Sequence, residues 1–121
     1  MNIITSKFHG VLDYITAFFF LVAPSLFNLS ETGMYLAYLL AIVHFLMTIF
    51  TGFSMGWIKM IPFSFHGKVE LVVSIVLVAV TWVLADFFNA TDQVFYTVCG
   101  IVIFVVWLLT HYKSPIEPST A

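Results

Sequence analysis

Charge is what this chain has least of. Of its 121 residues only 8% are Asp, Glu, Lys or Arg, and all four basic residues are lysines. A soluble domain is about a quarter charged and roughly half apolar, whereas here 62% of residues are hydrophobic. That leaves too little polar surface to clothe a globule in water, and the composition is that of a membrane protein. With a net charge of −2 and no basic run, the chain has no electrostatic footprint for nucleic acid. Cysteine is almost missing as well. Cys99 stands alone inside an apolar segment, which excludes a disulfide framework. There is no arrangement of nucleophile, base and orienting residue, and no glycine-rich phosphate loop, so the reading leans away from an enzyme.

What remains is long apolar runs. A bilayer core about 30 Å thick needs roughly 20 apolar residues in a helix. Four segments meet that requirement, at about 8–28, 34–54, 66–87 and 94–112. The breaks between them are "NLSETG", "MGWIKMIPFS" and "DFFNATDQ". In the second break Pro62 is the stop and Ser64 the expected N-cap. Gly52 and Gly56 read as helix termination rather than a dimer face. Pro24 lacks a donor and crowds the carbonyl of Phe20, so it should kink the first helix near its far end. Trp82 is expected to be a packing residue. Short loops predict antiparallel neighbours, hence an all-α four-transmembrane-helix bundle. It forms a single transmembrane domain over 1–112, followed by a flexible C-terminal tail over 113–121 with two prolines. His9 and Asp13 interrupt the first apolar run, which is therefore expected to be a membrane helix rather than a cleaved signal.

The lysines orient the bundle. Lys7, Lys59, Lys68 and Lys113 all fall on the side shared by the two termini and the middle loop, while the other two loops carry Glu31, Asp86 and Asp92. The positive-inside rule then puts both termini in the cytoplasm.

The sequence also repeats. At an offset of 57, "FHGVLD" at 8–13 falls on "FHGKVE" at 65–70, so His9 meets His66 and Asp13 meets Glu70. For the second helices an offset of 60 aligns Ala37, Leu40, His44, Met47 and Thr51 with Thr97, Gly100, Phe104, Trp107 and His111. These spacings trace one helix stripe. The repeats span about 5–56 and 62–112. Each holds two spans, so the halves should be parallel, related by a pseudo-twofold along the membrane normal. The order of these motifs, with Ala23-Pro24-Ser25 late in the first helix, Ile61-Pro62 in the joining loop and Val80-Thr81-Trp82 late in the third, resembles the small bacterial membrane proteins built from SPW repeats. The resemblance implies the repeated four-span fold and a bacterial inner-membrane location, with the lipid bilayer as surroundings. It brings no activity with it. The extent of lipid-facing surface leaves room for a homodimer or a partner in a membrane complex.

The candidate functional residues are the polar groups inside the spans. Positions i and i+4 share a helix face, so His9 points with Asp13 and His66 with Glu70. Each acid lies about 6 Å deeper than its histidine. An ionised carboxylate in hydrocarbon is costly, so these acids should face the bundle interior or a wet cleft, or be protonated. His44 is deeper still, and His111 closes the fourth helix. Four readings compete for the cluster His9, Asp13, His66, Glu70, His44 and His111. One is hydrogen-bonded ties between helices with no cofactor, and another is a proton relay. A third is a zinc, iron or manganese site. The fourth is a b-type haem between His9 and His66. The first makes the chain a small non-enzymatic structural or accessory membrane protein. The others make it a proton- or metal-handling transporter or a redox subunit.

Overall fold

Thr5 opens the first helix by accepting a hydrogen bond from the Phe8 amide, satisfying one of the free donors at the helix start. In the computed structural model, which describes residues 3–53, 55–110 and Tyr112, α1 then runs over Ser6–Phe27. It continues through Pro24, one turn from its end, where the Pro24 carbonyl accepts from both Asn28 and Leu29. Asn28, at a φ of 54°, supplies the left-handed C-cap that asparagine tolerates. Ser30 caps α2, Glu31–Ile49. The chain then forms two-residue parallel strands, β1 (Thr51–Gly52) and β2 (Ile61–Pro62). Next come α3 (Phe63–Val83), a 3₁₀ turn at Ala85–Phe87 and α4 (Ala90–Leu109). Asn89 and Asp92 close a capping box at the start of α4.

All four helices are long and apolar enough to cross a membrane. Their outward faces carry large apolar side chains such as Phe18, Leu39, Val72 and Ile101, as a lipid-facing surface requires. Inside, all four helices contribute to one core built around Phe20, Leu40, Leu77 and Tyr96. Backbone packing is closest within the pairs α1–α2 and α3–α4, and sparser between the two pairs.

Several boundaries differ from the sequence expectation. The second helix ends at Ile49 rather than near 54, because the carbonyls of Ile49 and Phe50 are taken by amides from Trp57 to Ile61. Gly52 and Gly56 thus lie beyond the helix, as termination residues do. The third helix starts at Phe63, with Pro62 in the N-cap position and no side-chain cap bond, so Ser64 lies in its first turn instead of capping it. The fourth starts at Ala90, four residues early, because Asn89 caps it. Trp82 is not a packing residue. It is 56% exposed, with only its indole N–H tied, at 2.9 Å to Thr97 Oγ1. The expected tail 113–121, Lys113 and His111 lie outside the described residues.

One end of the molecule gathers the start of α1, the end of α4 and the α2–α3 connection. There Ile4 bridges Thr110 in parallel, with the Ile4 amide bonded to the Leu109 carbonyl at 2.8 Å. Thr51 pairs with Ile61 in the same sense.

Candidate functional site

His9 and Asp13 on α1, and His66 and Glu70 on α3, occupy consecutive turns of their helices and converge at this end. All four are buried, none more than 4% exposed, and one ligand-type atom from each lies within 4.8 Å of the others. His9 Nε2 is 2.8 Å from Glu70 Oε1 and 3.2 Å from Asp13 Oδ1. His66 Nε2 is 2.5 Å from the same Glu70 oxygen and 3.0 Å from Asp13 Oδ2. Both rings therefore aim their Nε2 atoms inward, and Glu70 Oε1 serves both.

The outer ring nitrogens are held just as firmly. His9 Nδ1 lies 2.9 Å from Thr110 Oγ1, and His66 Nδ1 lies 2.6 Å from Thr51 Oγ1. Each threonine hydroxyl in turn lies against a carbonyl one helical turn back, Val106 at 2.6 Å and Met47 at 2.5 Å. Two acceptors at such a distance repel unless a proton lies between them, so each hydroxyl donates to its carbonyl. The threonine oxygen can then only accept from the ring, and Nδ1 carries a proton in both histidines. The tautomer is fixed by the backbone of the helix end beside it.

Aromatic rings close the centre from the near end. Phe63, 2% exposed, stacks on Phe53 with centroids 5.1 Å apart and meets Tyr112 at 4.8 Å and His9 at 5.6 Å. The Tyr112 hydroxyl lies 3.5 Å from both His9 Nε2 and Glu70 Oε2. Burial, reinforced by the neighbouring carboxylates, raises the Tyr112 phenol well above its ordinary pKa, so it faces the centre as a neutral hydroxyl.

The glycines of the two "FHG" motifs make room for these rings. A Cβ on Gly67 would come 2.7 Å from the Tyr112 ring, and one on Gly10 would come 2.5 Å from Phe53 Cε2 and 2.6 Å from Met55 Cβ. Met55 Cβ sits next to backbone and cannot swing aside. Gly10→Ala is therefore expected to destabilise by about 1–3 kcal/mol, the usual cost of overpacking. A melting curve in detergent checks this, and an unchanged midpoint would mean that the loop carrying Phe53 and Met55 yields freely.

His44 does not join the four. It is buried on α2 with its ring 6.2 Å from Phe20. It shares with His66 and Glu70 the lining of a small pocket of about 10 Å³, about enough for one water. His111 lies outside the described residues. A haem between His9 and His66 does not fit this arrangement, because the Asp13 and Glu70 carboxylates fill the space between the two Nε2 atoms at 2.5–3.2 Å.

Sequence reasoning did not single out Thr110, Tyr112, Phe53 or Phe63. The available signal was a threonine or aromatic just past each even-numbered helix, opposite a histidine just inside each odd-numbered one. Fold and site together define a four-helix protein of membrane-spanning composition with a buried centre of two histidines and two carboxylates. Comparison with family models, curated proteins and solved structures finds no match for this chain.

Proposed function

We propose that the chain is a small, non-enzymatic structural or accessory protein of a bacterial inner membrane, built from two parallel two-helix repeats of the SPW type with both termini cytoplasmic. Its polar centre serves to lock the two halves together. The observation that carries this reading is the crossed pattern of contacts. His9 of the first half bonds Thr110 of the second, and His66 of the second bonds Thr51 of the first. Each acid lies near the histidines of both halves. A single half cannot satisfy its own buried polar groups, and leaving them unmet costs about 1–3 kcal/mol each.

The repeat reading draws support from matched pairs of contacts. Ile4–Thr110 corresponds to Ile61–Thr51, and Gly10 beneath Phe53 corresponds to Gly67 beneath Tyr112. For the second helices these pairs match at an offset of 59, Thr51 on Thr110, rather than the 60 that the stripe alignment favours. A centre enclosed on every side by protein favours a structural role over transport, and it requires Glu70→Leu to cost stability while Glu70→Gln keeps the fold.

The topology is tested in cells. Reporters fused after Lys113 are expected to read cytoplasmic, and tags inserted at Glu31 or Thr91 to be accessible from outside. A tag at Glu31 that is protected in intact cells would reverse the sidedness of the centre. The apolar outer surface suits lipid and leaves room for a second copy or a membrane-complex partner.

A further inference from the structure

The geometry points to a divalent transition-metal site, with zinc as its ion, formed by His9 Nε2, Asp13, His66 Nε2 and Glu70. The inference rests on reading the four groups as one centre that joins the halves. Its first support is the tautomer. With Nδ1 of each ring protonated toward a threonine, a neutral histidine presents a bare Nε2 lone pair to two carboxylates. Lone pair against carboxylate is repulsive, so a positive charge must lie between them. Three charge-balanced solutions exist. Both rings carry a second proton, giving two imidazolium ions against two carboxylates; or both acids are protonated and donate to the bare Nε2 atoms; or two neutral rings and two carboxylates surround one dication. The second is poor, because Glu70 Oε1 lies 2.8 and 2.5 Å from the two Nε2 atoms and a single proton on it can serve only one ring.

Asp13 favours the dication. Under the first solution the two Nε2–H groups both point at Glu70 Oε1. Asp13 Oδ2, in a residue 4% exposed, then has no hydrogen-bond donor aligned with it among the described residues, although His66 Nε2 is only 3.0 Å away. The near approach without alignment is what converging ligands produce, as opposed to paired donors and acceptors. A dication at the centre meets all four groups at once. The dimensions agree. Zinc–nitrogen and zinc–oxygen bonds of about 2.0–2.2 Å at tetrahedral angles put ligand atoms about 3.3 Å apart, and the observed nitrogen–oxygen separations are 2.5–3.2 Å. The two contacts to Asp13, at 3.0 and 3.2 Å, are near that spacing, and the two to Glu70, at 2.5 and 2.8 Å, must open by roughly 0.5–0.8 Å to seat the ion.

The donor set points to the metal. Two imidazoles and two carboxylates make a borderline set of four, suited to zinc in number and type. The threonine hydroxyls play the part that outer partners play for metal-bound histidines, fixing the ring by its other nitrogen. All four ligands come from the protein and Tyr112 lies over them, so the site is closed, as structural zinc sites are. Metal binding would then be part of the folding of this end of the bundle.

The test is metal analysis of the full chain purified in mild detergent, stripped with chelator and reloaded with zinc, iron(II) or manganese(II). Wild type is expected to retain one zinc per chain after desalting, with a higher melting midpoint than the stripped protein. Cobalt loading should give the visible absorption of a tetrahedral site. Glu70→Gln and Asp13→Asn should lose both the metal and the cation-dependent rise in melting midpoint. Thr51→Val, which leaves all four ligands in place, should still bind zinc, but more weakly. Folded wild type that keeps none of the three metals and melts identically with and without them overturns the proposal. In that case Glu70→Leu still decides the joining role separately. If it unfolds, the halves are tied by hydrogen bonds alone; if it melts with wild type, the tie is absent too.

Discussion

Glu70→Leu is expected to lower stability more than any other single change in the buried centre, while Glu70→Gln leaves a folded protein. Leucine matches glutamate closely in volume, so packing changes little and the difference is polar. Glu70 Oε1 lies 2.8 Å from His9 Nε2 and 2.5 Å from His66 Nε2, and Oε2 lies 3.5 Å from the Tyr112 hydroxyl. Leucine removes the carboxylate that all three polar groups face, at a buried position. A lone polar tie between membrane helices contributes only about 0.6 kcal/mol, because the separated helices find other partners. Breaking a buried charged pair in a protein interior costs about 3–5 kcal/mol. The second scale applies here, since one oxygen serves two rings whose other nitrogens are pinned by Thr110 and Thr51 and cannot turn away. Glutamine keeps an acceptor oxygen, and its amide can face Asp13. Thermal or denaturant unfolding in detergent checks the ordering. Equal midpoints for the leucine variant and wild type would mean that the centre holds nothing together.

The four central residues were legible because two independent regularities coincide. Histidine and acid stand one helical turn apart, and the pattern recurs 57 residues later. Apolar helices make such groups stand out, since an acid inside a span needs a partner. The threonines were not legible as partners. A threonine in an apolar helix usually bonds its own carbonyl one turn back, and Thr51 and Thr110 do so. What the pattern hides is that each also lies beside a histidine from the opposite half, a contact set by how the helix pairs meet. His44 shows the converse. Its depth was readable, but whether it joins the cluster depends on helix rotation, and the structure leaves it lining a small pocket beside Glu70. The helices themselves followed from apolar length. Their ends moved wherever a cap or turn intervened, as Asn89 did in starting α4 early.

At the opposite end of the bundle the acid that matters most was read only as a loop charge. Asp92 is fully buried. One carboxylate oxygen accepts the Ser30 amide at 3.0 Å, and the other accepts the Asn89 amide at 3.0 Å and the Ser30 hydroxyl. In return the Asp92 amide donates to Asn89 Oδ1 at 2.8 Å. The node extends into α2, where the Gly33 amide donates to Ser30 Oγ at 3.0 Å and Tyr96 donates to the Gly33 carbonyl at 2.5 Å. One side chain thus caps α4 and joins it to the start of α2, across helix pairs whose backbones otherwise pack sparsely against each other. Asp92→Ala is expected to cost about 3 kcal/mol. Loss of a cap contributes about 1 kcal/mol, and the unmet Ser30 donors account for the rest. Asp92→Asn is expected to cost nearly as much, unlike Glu70→Gln. Each oxygen accepts from a backbone amide, Ser30 on one and Asn89 on the other, so an amide NH₂ in place of either one faces an N–H that cannot turn away. Amide hydrogen exchange separates this from general loosening. Protection should fall at Ser30, Gly33 and Asn89 while the first turns of α1 and α3, around His9 and His66, stay protected. If Asp92→Asn melts with wild type, or if exchange rises first at the histidine end, Asp92 does not hold α2 to α4.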